Sequence, residues 1–571
     1  MSLELNPRHL ILFITAFVLV FAAALPVDVM DVDAAQYYGI SRDLLSSDNW
    51  LHIKDRGHDY LDKPPLLFWA SALSFKIFGV SNWAYKLPSF LFALLAIFST
   101  AKLAQLLYDR KTGLMAGLML ASCLGVFIIT NDIRTDTILL GSVSFAVWQL
   151  LMFLKTKRWL NLVAGFAGVA AAMLTKGPLG LVIPALALSC EFAYKRQWKN
   201  FVRWQWLPGL GIVALLLTPM CIGLYQQFDL HPEKVVNGTT GVSGLKFYFW
   251  TQSFGRITGE SDWGTKFDNG AGPFFFTHTF LWAFFPWALL VLGALIKTTL
   301  KLIRSRCKPG YVPEMLSYGG FVLVFLAMSA SKYKLPHYIY ITFPFAAIMA
   351  ARFFVHDVFL PRKRLILYAS IVLHIVFYLA LAAIVVLLLF YSFPDASWLT
   401  ISIALLWLIA GAVMVWKITE PGAKLLYPLL CALLAGYFTA NVHFYPHLLA
   451  YQTTGQAGKK IAAMGVKQDR YFYYHDLFQF PGDAYSGFAV NYIYPNQFDS
   501  VLNSQKTFWI YTDEEGINEL KTGGYTILKQ EKLTDYPVQF LKVQFLIPEE
   551  RNKVTRTRYL LEVGKRTSPV F

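Results

Sequence analysis

Charged residues and cysteines are scarce in this sequence. Only 15% of its 571 residues are charged, against roughly 25% in soluble proteins. Together with a hydrophobic content of 56%, this scarcity excludes a soluble globular protein and an intrinsically disordered chain. All five cysteines lie in or beside long apolar segments. The polar C-terminal region therefore has neither a disulfide framework nor a CxxC metal site.

Long apolar runs are what the sequence has in abundance. About thirteen of them, between Leu10 and Phe444, approach the length of roughly 20 residues that crosses a bilayer, and the mean hydropathy is +0.46. We therefore predict an all-α polytopic membrane protein. The first run ends in small residues, as a signal peptide does. We interpret it as a span, because the acidic segment behind it belongs with later motifs.

The net charge of +16 would suggest nucleic acid as the partner of a soluble protein. Here the basic residues fall in alternate loops between the apolar runs, for example at Arg110, Lys155, Lys195, Lys301 and Arg362. The positive-inside rule places these loops and the N-terminus in the cytoplasm and the C-terminus outside. The charge then marks orientation and contact with anionic membrane lipids, and we expect no nucleic-acid partner.

Two predicted external loops, residues 26–82 and 228–272, are long, and long loops on a scaffold of spans usually carry function. Within the first loop, residues 35–47 and Leu66–Phe78 are predicted to be helices at the membrane surface. The alternative for Leu66–Phe78 is a short span.

After about Leu449 the composition becomes polar, with short β-rich runs. We predict strands at 471–477, 488–494, 507–511, 525–528, 538–546 and 558–563. The chain then has two domains: a transmembrane domain over residues 1–449, which carries the external loops, and an extracytoplasmic α/β domain over residues 450–571.

Carboxylates cluster at the outer ends of spans, where a charge must be neutralised or must serve a ligand. Asp28, Asp31 and Asp33 follow the first span, and a carboxylate there can accept a proton from a hydroxyl or bind a metal. Residues 131–136 form a second cluster in a short turn between spans. The alternative is structural, since Asp33 and Asp136 are each well placed to cap the following helix.

Cations accompany these carboxylates on the same predicted face. Lys63 precedes two prolines that fix its direction, and an ammonium there suits a phosphate. Lys334 and Tyr338 lie at the outer start of a span, where snorkelling and an aromatic belt are the alternative explanation. Arg256 in the second loop can hold a phosphate bidentately or pair with Glu260. Carboxylates beside cations suit transfer of a group from a membrane-borne phosphate ester to a hydroxyl.

The order and spacing of these motifs resemble one family, the GT-C glycosyltransferases that use polyprenyl-phosphate sugars, in the branch of the protein O-mannosyltransferases and lipid A aminoarabinose transferases. The motifs are Asp33-Ala34-Ala35-Gln36-Tyr37, Lys63-Pro64-Pro65, Arg134-Thr135-Asp136, Thr175-Lys176-Gly177-Pro178 and Lys334-Leu335-Pro336-His337-Tyr338. The resemblance covers most of the chain. It implies a GT-C type fold with about thirteen transmembrane helices and juxtamembrane helices, followed by an external α/β domain as in the aminoarabinose branch.

The resemblance also implies roles for residues. The catalytic residues would be Asp33, which activates or orients the acceptor, and Asp136, an assisting acid. The carrier phosphate would be held by Lys63, Arg256, Tyr338 and Lys334. Residues that would support the site or hold a metal are Asp62, Asp31, Tyr37 and Arg134. No cofactor is certain, and a divalent metal is left open with Asp62 as the ligand considered. Lys176 is assigned either to structure or to the approach of the lipid.

The implied reaction transfers a monosaccharide from a polyprenyl phosphate, such as undecaprenyl phosphate, with inversion. The acceptor would be lipid A or lipopolysaccharide, another glycan, or a protein hydroxyl. Such an enzyme is expected in a bacterial inner membrane with its C-terminal domain in the periplasm. The competing hypothesis is a transporter or flippase of a lipid-linked sugar, which predicts charges near span midpoints and often inverted repeats. The sequence identifies neither the sugar, nor the acceptor, nor the oligomeric state.

Overall fold

The fold is known from a computed structural model that describes residues 5–236, 238–255, 270–357, 364–475 and 477–566. Most of these residues are helical, and a mixed sheet forms near the C-terminus. The predicted fold class, a polytopic helical membrane protein with a C-terminal α/β region, is confirmed.

Within the described residues, eight helices are long and apolar enough to cross a membrane. They are Asn82–Leu107, Thr135–Thr156, Trp159–Lys176, Trp206–Asp229, Pro336–His356, Tyr368–Ser392, Trp398–Lys417 and Pro421–Ala450. The pair Arg110–Ser122 and Leu124–Asn131 is bent by 54° and together reaches the same length. Shorter apolar helices are Pro7–Ala22, Leu66–Phe78, Leu179–Tyr194 and Leu316–Ala330. The expected count of about thirteen spans stays a prediction, because these shorter helices have less than the length of a full crossing.

The first long loop folds against the helix bundle. It contains the helix Asp33–Asp43, a short hairpin of β1 (Lys54–Asp55) and β2 (His58–Asp59), and the helix Leu66–Phe78. The helix Leu66–Phe78 begins directly after two prolines and ends at Gly79, whose φ of 81° suits a residue without a side chain. It buries one face that includes Phe68 and Phe75. The two helices expected in this loop are therefore present.

The remaining helices connect these elements or belong to the C-terminal region. Those before residue 450 are Gly244–Lys246, Phe275–Ala283, Ala288–Arg304 and the π-helix Phe247–Gly255. The helices of the C-terminal region are Thr453–Ala463, Phe480–Ser486, Phe498–Gln505, Glu514–Thr522 and Val543–Leu546.

The C-terminal sheet has five strands in the order β4-β3-β5-β7-β6. Their bounds are β3 (Tyr471–Tyr473), β4 (Asn491–Tyr492), β5 (Thr507–Thr512), β6 (Tyr525–Asp535) and β7 (Arg556–Arg566). β3 runs parallel to β4 and β5, whereas β7 is antiparallel to β5 and β6. The strand expected at 538–546 is wrong, since those residues form loop and the short helix Val543–Leu546.

Ion pairs join the first loop to the C-terminal region. Arg56, in the turn of the hairpin, lies 2.5 Å from Asp483, and Lys459 lies 2.5 Å from Asp28. Arg42, near the end of the helix Asp33–Asp43, donates to the backbone oxygen of Asp483. Burial raises the pKa of the Asp483 carboxyl to about 7 although Arg56 is adjacent. The C-terminal region therefore helps to hold the helix that carries Asp33.

Candidate active site

Asp33 is positioned by the packing of its helix. It is the first residue of the helix Asp33–Asp43, and Tyr37 and Tyr38 on that helix are buried against the helix Leu66–Phe78. The Tyr37 ring meets Phe68 edge-on with centroids 5.5 Å apart. The residue before Asp33, Val32, is the N-cap, and no side-chain cap bond forms. Asp33 therefore does not cap its own helix, and its carboxylate is directed to another partner.

That partner is Arg134, which binds two carboxylates. Its Nη1 forms an ion pair with Asp33, and its Nε lies 2.7 Å from Asp132. Asp33 is the more accessible of the two acids, with 33% of its side chain exposed against 14% for Asp132. One guanidinium thus orients both carboxylates, and Asp33 is the one that a substrate can reach.

Tyr37 lies beside the same charges. Its ring is fully buried, and burial raises the pKa of its hydroxyl, to which the charges of Asp33 and Asp62 add. The segments that contain Asp33 and Asp62 therefore come close together near this tyrosine, and its supporting role stays a prediction.

Asp136 forms a second cluster next to the first. Its carboxylate is nearly buried, lies 2.5 Å from Lys176 Nζ and is 3.7 Å from His337 Nε2. The helix Thr135–Thr156 shows no side-chain cap bond, so the capping alternative is wrong for Asp136 as well. The Lys176 ammonium also lies over the ring of Tyr338, 4.1 Å from its centroid. Asp136 therefore holds the Lys176 ammonium in place, and that ammonium contacts the Tyr338 ring.

Lys63 forms an ion pair with the adjacent Asp62. The side-chain amide of Gln252, in the π-helix Phe247–Gly255, donates to the backbone oxygen of Asp62. Lys63 itself is mostly buried, with 14% of its side chain exposed. The hydrogen bond between Gln252 and Asp62 thus joins the two long loops beside this lysine.

A cavity unites these cations. Its charged, polar and aromatic lining residues are Lys63, Lys176, Gln252, Ser331, Tyr333 and Tyr338. The rest of the lining is aliphatic: Leu139, Leu179, Ile183, Ala327, Met328 and Ile341. It encloses about 750 Å³, part of which is open to solvent. A cavity lined by two cations and by apolar side chains suits an anionic headgroup attached to a lipid chain.

Of the predicted phosphate ligands, Lys334 is absent from the described lining of this cavity. Lys334 is buried and donates to the backbone oxygen of Ala271 at 2.9 Å, and it does not line the cavity. Its observed contact secures the end of the second loop. Arg256, with its alternative partner Glu260, lies outside the described residues.

Asp31 faces away from this site although it is only two residues from Asp33. Gln539 donates to its Oδ2 at 2.8 Å, and its backbone N–H donates to Gln452 at 2.8 Å. Both glutamines belong to the C-terminal region. Burial raises the pKa of the Asp31 carboxyl to about 6, despite hydrogen bonds from Gln539 and the backbone of Phe480. In this position Asp31 secures the domain junction.

The suggested metal ligand Asp62 is engaged by Lys63. The described residues contain one group of three side chains spaced for a metal ion, Asp395, His443 and His447, and Asp62 is not part of it. A metal at Asp62 stays a prediction.

Three side chains at or beside the cavity have little signal in the sequence, and two of them, Lys176 and Gln252, line it. Lys176, which the sequence assigns either to structure or to the approach of the lipid, lines the cavity and is the last residue of its helix, before Gly177 with a φ of 67°. His337 lay within a recognised motif without a role. Gln252 had no signal in the sequence, because only the fold brings its π-helix to Lys63.

The architecture of the described residues indicates a class of protein. A membrane bundle with juxtamembrane helices over a charged cavity, followed by a sheet domain, is the GT-C type arrangement that the motifs predict. The solved structure of ArnT from Cupriavidus metallidurans bound to undecaprenyl phosphate superposes with a TM-score of 0.69, covers 98% of both chains and is 16% identical. The GT-C type fold is thereby confirmed, and at this identity the likeness concerns the fold alone.

The amino-acid sequence is similar to a protein family and to individual proteins. Residues 62–222 match the family described as dolichyl-phosphate-mannose-protein mannosyltransferase. The chain is 28% identical over 352 residues to an undecaprenyl phosphate-alpha-4-amino-4-deoxy-L-arabinose arabinosyl transferase of Yersinia pestis (strain Pestoides F), across 59% of this chain and 57% of that protein. The protein of the same name from Enterobacter sp. (strain 638) is 25% identical across 58% and 56%. The chain thus matches little more than half the length of these relatives. The resemblance to polyprenyl-phosphate sugar transferases is confirmed.

Proposed function

We propose that this protein is an integral membrane glycosyltransferase that transfers a monosaccharide from a polyprenyl-phosphate carrier to an acceptor at the membrane surface, with inversion at the anomeric carbon. The observation that carries the proposal is one cavity lined both by the ammonium groups of Lys63 and Lys176 and by six apolar side chains. A donor with a charged headgroup and a hydrocarbon chain matches both parts.

In this proposal the donor phosphate binds at Lys63 and Lys176. Lys63 and Lys176 each have a carboxylate partner, Asp62 and Asp136, that holds the ammonium in place before the substrate arrives. Cations fixed beside the phosphate stabilise the charge that develops as the phosphate leaves, and this stabilisation is often the largest part of catalysis. The Tyr338 hydroxyl at the same wall is a further donor to a phosphate oxygen.

Asp33 serves the acceptor. Its carboxylate is accessible, its direction is fixed by Arg134, and a carboxylate so placed takes the proton of a hydroxyl or aligns it for attack. The acceptor oxygen attacks the anomeric carbon on the face opposite the phosphate, which inverts its configuration. Asp136 has a different part, because its pairing with Lys176 makes it a positioning residue for the phosphate end.

The names of the relatives suggest which carrier and which sugar to test first. Undecaprenyl phosphate appears in the names of the relatives and of the solved structure, and we propose it as the carrier, with 4-amino-4-deoxy-arabinose as the first sugar to test. The acceptor is lipid A or lipopolysaccharide, another glycan, or a protein hydroxyl. The flippase alternative has no support in these relatives, which are named as transferases.

We further propose that the protein lies in a bacterial inner membrane, with a transmembrane domain over residues 1–449 and a periplasmic domain over residues 450–571. Cys307, which is exposed in a basic loop, tests this orientation. An impermeant maleimide should label Cys307 in inverted vesicles and not in intact spheroplasts. A Cys307→Ser, Asn518→Cys variant, with its thiol on the exposed face of the helix Glu514–Thr522, should show the reverse pattern.

The experiment that tests the function is transfer from radiolabelled undecaprenyl-phosphate sugar in proteoliposomes. Wild type should glycosylate a hydroxyl acceptor, Asp33→Asn should bind donor without transfer, and Lys63→Ala should bind donor weakly. Two matched controls should behave as wild type: Asp43→Asn at the far end of the Asp33 helix, and Lys332→Ala, an exposed lysine beside the site. Movement of the lipid between leaflets without transfer to any acceptor would replace the proposal by the flippase.

A further inference from the structure

Three potential metal ligands meet at the ends of two spans, away from the cavity. Asp395 follows the span Tyr368–Ser392, and His443 and His447 lie near the end of the span Pro421–Ala450. One ligand atom from each of these side chains lies within 4.8 Å of the other two. Ring centroids of the two histidines are 4.5 Å apart. The spacing of four residues places both imidazoles on one helical face, as in known zinc-binding helices.

Backbone carbonyls hold both imidazole rings. His447 Nδ1 lies 2.7 Å from the backbone oxygen of His443, and His443 Nε2 lies 2.8 Å from that of Phe393. A carbonyl accepts only, so each ring donates one N–H and, when neutral, keeps a lone pair on its other nitrogen. Metal-binding histidines in proteins are oriented in this way by a second hydrogen bond.

The local backbone is unusual on both sides of this group. Leu388–Ser392, just before Asp395, is a π-helix, and so is Ala440–Phe444, which contains His443. π-helical turns are rare and occur frequently at functional sites. An ordinary ion pair between His447 and Asp395, which lie 2.9 Å apart, explains neither the two π-helical turns nor the nearly buried third side chain, His443.

We propose that Asp395, His443 and His447 bind a divalent transition metal of the zinc class. Two imidazoles and one carboxylate suit zinc better than magnesium or calcium, which prefer all-oxygen sites. Three protein ligands leave one position for water. Asp395 is two-thirds exposed, so the ion enters from solvent. On binding, the metal takes the place of the proton on His447 Nε2, which is released to solvent, and so replaces the hydrogen bond between His447 and Asp395.

The position of the site gives the metal a structural consequence. Phe393 packs against His447 with ring centroids 5.0 Å apart, and the Arg551 guanidinium lies over the Phe393 ring at 4.3 Å. Arg551 also donates to the backbone oxygen of Ser392. A metal that ties Asp395 to the neighbouring span therefore fixes the surface on which Arg551 and the C-terminal region rest.

The test uses the full-length protein in detergent, without a histidine tag, after treatment with a chelator. Titration with Co²⁺ should give the visible absorption of a nitrogen- and oxygen-coordinated ion at one equivalent per chain, and Zn²⁺ should displace it and raise the melting temperature. Asp395→Asn, an exposed and isosteric change, should lower the affinity by about 100-fold or more, beyond the effect typical of outer-shell partners. His447→Gln should act likewise.

His356→Ala is the matched control, because His356 forms a similar pair with Asp109 at 3.1 Å outside the proposed metal group. It should leave the titration unchanged. Equal Co²⁺ binding in wild type and Asp395→Asn, or no binding by the wild type, would overturn the proposal. Both outcomes are independent of transferase activity.

Discussion

Asp31 and Asp33 are separated by one residue, yet they belong to two different regions of the molecule. Asp33 faces the membrane bundle, where its one-third exposed carboxylate forms an ion pair with Arg134. Asp31 faces the C-terminal region, where Gln539 donates to its partly buried carboxylate. The comparison teaches that the acidic segment after the first span has two functions. We propose that Asp33 is available for chemistry, whereas Asp31 contacts the C-terminal region.

The largest expected effect separates these two acids by activity. Asp33→Asn should lower the turnover number by about 10²–10⁴-fold, the usual contribution of a positioned proton acceptor, while the KM for donor changes little. Asp31→Asn should retain nearly full turnover in the same transfer assay. Equal losses in the two variants would break the comparison.

Lys63→Ala should have the next largest effect. Loss of a charged hydrogen bond to phosphate weakens binding by about 1.5–3 kcal/mol, so the KM for the polyprenyl-phosphate donor should rise by about 10–100-fold. Steady-state kinetics with varied donor measures this change. Lys332→Ala is the control, and an unchanged KM in Lys63→Ala would remove Lys63 from the phosphate site.

Arg134→Lys tests what orients Asp33. A lysine keeps the charge but cannot hold two carboxylates with a rigid planar group. We expect a fall in turnover of roughly 10-fold with unchanged donor binding, measured by steady-state kinetics with varied donor. Full activity in this variant would mean that Asp33 needs no orientation by the guanidinium.

The smallest expected effect is on the free energy of unfolding, and it concerns Asp31 alone. Its pKa is raised to about 6 in the folded protein from 3.8, so the folded state binds the proton more tightly than the unfolded state. The contribution of this group to stability is therefore greatest below pH 3.8 and is lost as the pH rises through 6. At pH 8 the buried charge destabilises the protein by up to about 3 kcal/mol.

Asp31→Asn removes this charge, so it should raise the melting temperature at pH 8 and change it less at pH 5. The difference between variant and wild type cancels other titrating groups such as Asp483. A variant that is less stable than wild type at pH 8 would show that the Asp31 charge is needed at the junction.

Much of this site could be predicted from the sequence because the charges stand in short motifs against an apolar background. Asp33, Asp136, Lys63 and Tyr338 were selected in this way, and the fold brings their segments together. Whether a carboxylate caps its helix or reaches across to Arg134 or Lys176 depends on tertiary packing, which no local pattern records.

The same limit explains the errors in the C-terminal region. Residues 538–546 carry apolar side chains that predict a strand, but Val538 and Phe545 are buried in a cluster with Phe393 and Leu448 from the membrane bundle. Burial against another element removes the need for a sheet partner. Conversely, β6 extends to Asp535 through polar residues, because it lies at the sheet edge and pairs only with β7.

The most direct measurement of the central claim is a cryo-electron microscopy structure of the protein with undecaprenyl phosphate. The account predicts density for the phosphate within hydrogen-bond distance of Lys63 and Lys176, with the lipid chain along Leu139, Leu179 and Ile183, and with the Asp33 carboxylate facing open space for an acceptor. A phosphate bound at another face of the bundle, with this cavity filled by protein side chains, would contradict it.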